Sequence, residues 1–339
     1  MDLLPTEDQL QIAETVGELF DRTLPKDLLR SRADEPDAIS ADAWTACMET
    51  GFLALGIDEE HGGVGLGLAE EALAFREVGR HLAPGPFLSS LLAAHMAAQS
   101  HETALFEDII GGEVQVGLVV LGPGGTFING RLDGEVYLLD ATATDLVIAV
   151  GEDGATIFPR TAFADVRPVE GLDPGTRLES ARAESADGGI RVEGTGIRSR
   201  SLILAAAILS GIAEGCRDAS TLHAKTREQF GRPIGINQAI KHRCADMAVQ
   251  ANAATSQVLY AAAANDAGHT DAAFQASAAH LVASQAAVAN AQNTVQVHGG
   301  MGYTWEHDSH LYVKRARVWQ QALGLTATER DRVLQVIAV

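Results

Sequence analysis

The stretch QVHGGMGYTWEHDSH, residues 296–310, follows a long alanine-rich run and packs an amide, a pair of adjacent glycines, three imidazoles and two carboxylates into one segment. Each glycine is disfavoured in a helix by about 1 kcal/mol against alanine. Gly299 and Gly300 therefore predict a place where the backbone must come close to something else. Within the same stretch Glu306, His307, Asp308 and His310 could offer imidazole and carboxylate ligands to a metal, since i and i+3 share a helix face. No further ligand pattern elsewhere in the chain supports a metal, and EHDSH reads instead as a polar, hydrogen-bonded helix start.

Other motifs with chemical potential fail on spacing. In EEHGGVGLGLAEEA the third glycine of a dinucleotide fingerprint falls on Leu68 or Glu70, so the segment reads as a tight loop before a helix. Ser210, in ILSGI, lacks the turn of a nucleophilic serine. Asp246 and Glu228 read as structural or solvated. Cys47, Cys216 and Cys244 are far apart without a C-x-x-C pair, which fits inert thiols in a reducing compartment.

The elements that must position residues 296–310 are legible from pattern. PTEDQLQIAETVGELF opens with a Thr6/Gln9 capping box and carries apolar residues at helical spacing. Further helices are predicted from Ser40 to a stop at Gly51, over 68–82, and over 87–110 with an interruption near Ser100. Short β-rich runs follow (VQVGLVVL, EVYLL, DLVIAV, ATIF, GIRVEG), punctuated by Gly and Pro, and predict a small antiparallel β domain. From Ile197 the signal is helical again, first through SLILAAAILSGIAEGCRDASTLHAKTREQF and then through two further long segments. Eighteen alanines between 250 and 292 predict closely approaching antiparallel helices. The expected division is 1–112 helical, 113–194 β, and 195–339 a helical bundle, an α+β fold overall.

With 45 acidic against 25 basic residues the formal charge is −20, which opposes binding to nucleic acid or anionic lipid. Residues 1–10 carry no signal-peptide pattern, and the longest nearly apolar run, 202–213, is too short to span a bilayer. A soluble cytoplasmic protein with no membrane partner is expected.

Two segments taken together, REQFGRPIGINQAIKHRCADM (227–247) and QVHGGMGYTWEH (296–307), in the order helical, β, helical, resemble the acyl-CoA dehydrogenase family over essentially the whole chain. The resemblance implies an N-terminal helical domain, a middle β domain and a C-terminal four-helix bundle. It also implies FAD held between subunits, an acyl-CoA substrate, and an electron-transfer flavoprotein as acceptor. Carried over residue by residue, it assigns Arg227, Gln229, Phe230, Asn237, Gln238, Gln296, Gly299 and Gly300 to the flavin of a neighbouring chain. Arg227 would offer a guanidinium fork to the pyrophosphate, and the glycine pair a bare backbone to the ADP part.

The chain departs from the family pattern where the family places its catalytic glutamate, the base that removes the α-proton. The residue before Gly324 is Leu323, and a second position used by some members matches Ser201. The segments that cover the isoalloxazine in the family have no counterpart in VGLVVLGPGGTF or EVYLLDATATDLVIAV, and the β domain is expected to be short. The first reading is therefore a subunit that lends half of an FAD site to a related partner carrying the base, with TWEHDSHLY resembling members from steroid side-chain degradation. A self-sufficient dehydrogenase or oxidase with a base such as Glu214 or Glu228 is the second. A non-enzymatic scaffold is the third.

Overall fold

The computed structural model describes residues 4–324 and 326–337; 1–3, 325 and 338–339 lie outside the described residues. Six helices come first: α1 (Glu7–Thr23), α2 (Asp27–Ser31), α3 (Ala41–Met48), α4 (Leu68–His81), α5 (Phe87–Gln99) and α6 (Thr103–Gly111). The Thr6 hydroxyl accepts from the backbone N–H of Gln9, and the Gln9 side chain accepts from that of Thr6, so the capping box forms as the sequence predicts. Ser40 caps α3 in the same way. The loop ahead of α4 turns through Gly62 and Gly65, both at positive φ, and no dinucleotide turn results.

Eight strands form one mixed sheet. They are β1 (Val116–Leu121), β2 (Thr126–Ile128), β3 (Arg131–Leu139), β4 (Leu146–Val150), β5 (Gly154–Pro159), β6 (Phe163–Val169), β7 (Leu178–Asp187) and β8 (Arg191–Glu193). The order is β6-β7-β3-β1-β4-β5-β8, with β2 paired to β3. The expectation of a purely antiparallel sheet is corrected at β1 and β4, which run parallel with Leu118 opposite Ile148. Alternation along the central strands feeds two cores. Leu118, Ile148 and Ile157 face the helices, whereas Val119, Val147 and Phe158 join a smaller core with Phe163 and Leu132. The longest strand, β7, carries Glu, Ser and Arg along LESARAESAD, and its partner β6 is largely exposed, so neither has the apolar signature of a buried strand.

The C-terminal region packs α7 (Gly196–Thr226), α8 (Gln238–Asp266), α9 (Ala272–His298) and α10 (Ser309–Gln321) into a bundle, followed by α11 (Thr326–Ile337). The alanines at 251, 254, 261, 276, 279, 283, 287 and 291 are fully buried, so helix axes approach over small side chains. α4 and α7 cross backbone to backbone. A Cβ on Gly79 would lie 1.8 Å from the Ile208 carbonyl oxygen, and one on Gly211 1.8 Å from that of Arg76. α7 is long and apolar enough to cross a membrane, but 83% of its most apolar window is buried inside the chain. It is the core helix, and the apolar run is longer than the segment 202–213 suggested.

One element end differs from expectation. The helical signal through TREQF stops at Thr226, and the chain turns into a two-stranded hairpin, β9 (Glu228–Gln229) with β10 (Arg232–Pro233). Phe230 and Gly231 both take positive φ, 53° and 76°, which a helix does not accommodate.

Candidate functional site

The hairpin, the start of α8 and the end of α9 meet at one end of the bundle. His223, one turn before Arg227, stacks on His298, the last residue of α9, with ring centroids 4.2 Å apart. A short 3₁₀ turn before α8 packs against α7, where a Cβ on Gly235 would lie 2.7 Å from the Ala224 carbonyl oxygen. The structure thus gathers 227–230, 237–238 and 296–300 onto one face, although they are far apart in sequence.

That face is open. Arg227, Gln229, Phe230, Asn237, Gln238, Gln296, Gly299 and Gly300 are all exposed. Phe230 is 100% exposed, an arrangement with no folding benefit for an aromatic ring. Arg227 makes no ion pair among the described residues. α8 starts at Asn237 without a side-chain cap, which leaves first-turn N–H groups of a 29-residue helix available to an anion. Gly299 has φ 64° and ends α9; a Cβ on it or on Gly300 would meet nothing within 4 Å. The internal reason for a glycine here is therefore the backbone conformation at 299, and the chain itself supplies no close neighbour for Gly300. Gly302 is different, since its Cβ would lie 2.8 Å from the Val295 carbonyl oxygen.

Leu323 and Ser201 sit elsewhere. Leu323 and Gly324 line a cleft of about 510 Å³ between the sheet and the turn from α10 to α11, opposite Val120, Leu121, Gly122 and Phe127. The two segments that depart from the family pattern are brought together there. Ser201 is buried in α7 and its hydroxyl donates to the Arg198 carbonyl, 2.7 Å. None of the eight residues on the open face lines this cleft.

Sequence reasoning did not single out the charged groups of the cleft. Glu329, 1% exposed, pairs with Arg198 of α7 and Arg332 of α11 and accepts from Ser277 Oγ at 2.9 Å. Arg332 also reaches Glu152 in the turn before β5, so α11 is tied to the sheet across the cleft mouth. The i,i+3 spacing of Glu329 and Arg332 was the visible hint. Neither candidate for a non-standard base is in the cleft lining. Glu214 is buried between Arg76 (3.7 Å) and Arg80 (3.8 Å) and accepts from Thr255, while Glu228 is exposed on the hairpin. Asp246 is exposed on α8.

EHDSH forms the turn into α10, with His310 stacked on Trp305 at 5.4 Å. Burial pushes the Cys47 thiol up to about 11 and the Cys216 thiol up to about 12, so neither is a ready nucleophile; Cys244 is half-buried rather than core. A buried network away from both sites joins Glu71, His95 and Arg200. His95 Nε2–H donates to Glu71 at 2.6 Å and Arg200 pairs with the other carboxylate oxygen. Burial alone would raise the Glu71 carboxyl, but His95 and Arg200 beside it hold it below its ordinary value.

Comparison with known proteins agrees with this architecture. Residues 6–103 match the description "Acyl-CoA dehydrogenase, N-terminal domain" and 189–338 match "Acyl-CoA dehydrogenase, C-terminal domain". The chain is 34% identical over 324 residues to the acyl-CoA dehydrogenase IpdE2 of Mycobacterium tuberculosis, covering 95% of this chain and 94% of that one. Among solved structures, the ChsE4-ChsE5 complex of Mycobacterium tuberculosis superposes with a TM-score of 0.86 at 24% identity, over 100% of this chain and 99% of that one. The Tcur3481-Tcur3483 steroid ACAD G363A variant gives 0.84 at 23% identity, over 98% of each chain. Full-length identity to IpdE2, matches at both ends of the chain, and the helical, β, helical architecture together make this chain a member of the acyl-CoA dehydrogenase family.

Proposed function

We propose that this chain is the cofactor-lending subunit of a heteromeric FAD-dependent acyl-CoA dehydrogenase, acting in the cytoplasm on a steroid-derived acyl-CoA. The observation that carries the reading is the open face itself: Arg227 without a counter-ion, Phe230 wholly exposed, and Gly299 and Gly300 with no neighbour, all among the described residues. These groups fit the pyrophosphate and ADP portion of a flavin dinucleotide bound by another subunit. The guanidinium and the uncapped α8 start suit an anion, and the bare backbone suits a flat, close-lying group.

In this reading the residues divide the work as follows. Arg227 and the first turn of α8 neutralise and orient the pyrophosphate. Gln296 offers an amide beside the glycine turn, and Phe230 and Gln229 exclude water from the bound dinucleotide. FAD held there would supply the acceptor for the β-hydrogen of the acyl thioester, which leaves as hydride. The proton at the α-carbon is removed by a carboxylate of the partner subunit, because Leu323 has no proton acceptor and the Ser201 hydroxyl is buried and already donating to a carbonyl. Glu329 does line the cleft beside Leu323, but Arg198, Arg332 and Ser277 occupy its oxygens, which suits a strap better than a base. The solved relative in which ChsE4 and ChsE5 form a complex supports a paired assembly, and the steroid ACAD relative supports the substrate class. The family resemblance implies an electron-transfer flavoprotein as the electron acceptor.

The test is the flavin content of this chain purified with a co-expressed partner. The reading expects roughly one FAD per pair of chains, lost in Arg227→Ala by about tenfold or more in retention, the factor that about 1.5–3 kcal/mol of a charge-assisted hydrogen bond delivers. A fully flavinated assembly of this chain alone, turning over acyl-CoA, would overturn it.

A further inference from the structure

Three imidazoles with no part in the proposed function stand directly beside the glycine turn. His223 comes from α7, His298 ends α9, and His307 precedes α10. Their ring centroids are 4.2 Å apart for His223 and His298, and 4.4 Å for His298 and His307, with interplanar angles of 32° and 54°. The central ring is fixed, since His298 Nδ1–H donates to the Thr294 carbonyl at 2.8 Å.

The outer ring on the α10 side acts as a helix cap. Asp308 makes no side-chain capping bond, and the first helical N–H, that of Ser309, donates instead to His307 Nδ1 at 3.1 Å. A backbone N–H cannot reverse its role, so His307 Nδ1 has to be the unprotonated nitrogen. The Ser309 hydroxyl, 2.9 Å from the same nitrogen, would accept a proton placed there, but that proton would oppose the backbone N–H and put a cation at the positive end of the α10 dipole.

We propose that this stack positions the Gly299–Tyr303 turn for its ligand and releases it when His307 gains a proton. The proposal rests on the assignment of that turn to the cofactor. Burial depresses the basicity of all three rings, and the surrounding charges mostly act in the same direction. His223 faces His298 and Arg227, and His298 faces His307. His307 faces His223, His310 and Arg30, and Asp308 favours its charged form; Asp308 is itself paired with Arg30 at 2.7 Å. A depressed imidazole pKa gives support that is complete above the ordinary histidine value and is lost as the pH falls below it.

Hydrogen exchange over 296–310 in the full chain, corrected for intrinsic chemistry, reads this directly at about pH 5.5 and pH 7.5, on either side of the ordinary imidazole value. The wild type is expected to lose protection at the lower pH, in the direction that a depressed imidazole pKa requires. His307→Asn, whose side chain can still accept from the N–H two residues on but cannot titrate, is expected to stay protected at both. His307→Phe should exchange fast at both. Absence of a pH response in the wild type, or its survival in His307→Asn, overturns the proposal. Flavin retention by the co-purified pair, followed over the same range, separates the two readings. Parallel loss supports both, whereas exchange that responds while retention does not leaves the switch standing and removes the cofactor from the turn.

Discussion

Gly299 and Gly300 stand next to each other and carry different constraints. At Gly299 the positive φ gives a reason internal to the fold, while at Gly300 the added Cβ would meet only solvent. Gly300→Ala should therefore leave the melting temperature of the chain unchanged and reduce flavin retention in the assembly, whereas Gly299→Ala, at φ 64° and ψ −140°, should also destabilise the chain by about 1–3 kcal/mol. Thermal melts paired with absorbance of retained flavin distinguish them. The Glu71–His95–Arg200 network is the opposite kind of site, dry and structural. Replacing Arg200 by Met strands a buried carboxylate and should cost about 3–5 kcal/mol in urea unfolding. Its two titrating members share a sign. The Glu71 carboxyl is held low and burial holds His95 low against the pull of Glu71, so both contribute stability that is lost on acidification. The loss begins as the pH falls through the ordinary histidine range and continues through the carboxylate range. His95→Gln, which still offers an N–H to Glu71, should remove the earlier part of that loss.

Between elements, the tightest constraint is the α4–α7 crossing. Gly79 and Gly211 bring backbone against backbone, so Gly211→Ala should destabilise by about 1–3 kcal/mol or more through overpacking, although it raises helix propensity. Circular dichroism would show helix content retained at low temperature and an earlier melt. At the N-terminus, Thr6→Ala removes one half of the capping box and should cost about 1 kcal/mol. The helices were legible because their apolar residues recur at helical spacing and their ends carry Thr, Ser and Gly signals. β6 and β7 were not, since solvent on one side removes the apolar run that marks a buried strand. The over-extension of α7 into TREQF has a similar origin. Every residue of that segment tolerates a helix, and the turn is decided by the positive φ at Phe230 and at Gly231 beyond it, which local propensity at Phe230 disfavours.

At the scale of the molecule, two sites lie in different places. One is the open face at the end of the bundle, and the other is the cleft between sheet and bundle that Leu323 lines. α11 is tied across that cleft by Arg198, Glu329, Arg332 and Glu152. Arg332→Ala should loosen α11 from the sheet and increase its hydrogen exchange without affecting exchange at 227–238. What the sequence determined by itself was the order of helical, β and helical regions and the main helix starts, because periodicity and capping are local properties. Only the tertiary structure decided that Arg227, Asn237 and Gly300 are exposed at one end of the bundle, that Glu214 is committed to Arg76 and Arg80, and that Glu329 is held by Arg198 and Arg332 in the cleft lining. Those outcomes depend on which helix ends meet and which charges are buried together, and such contacts form between residues tens or hundreds of positions apart, beyond the reach of any local pattern.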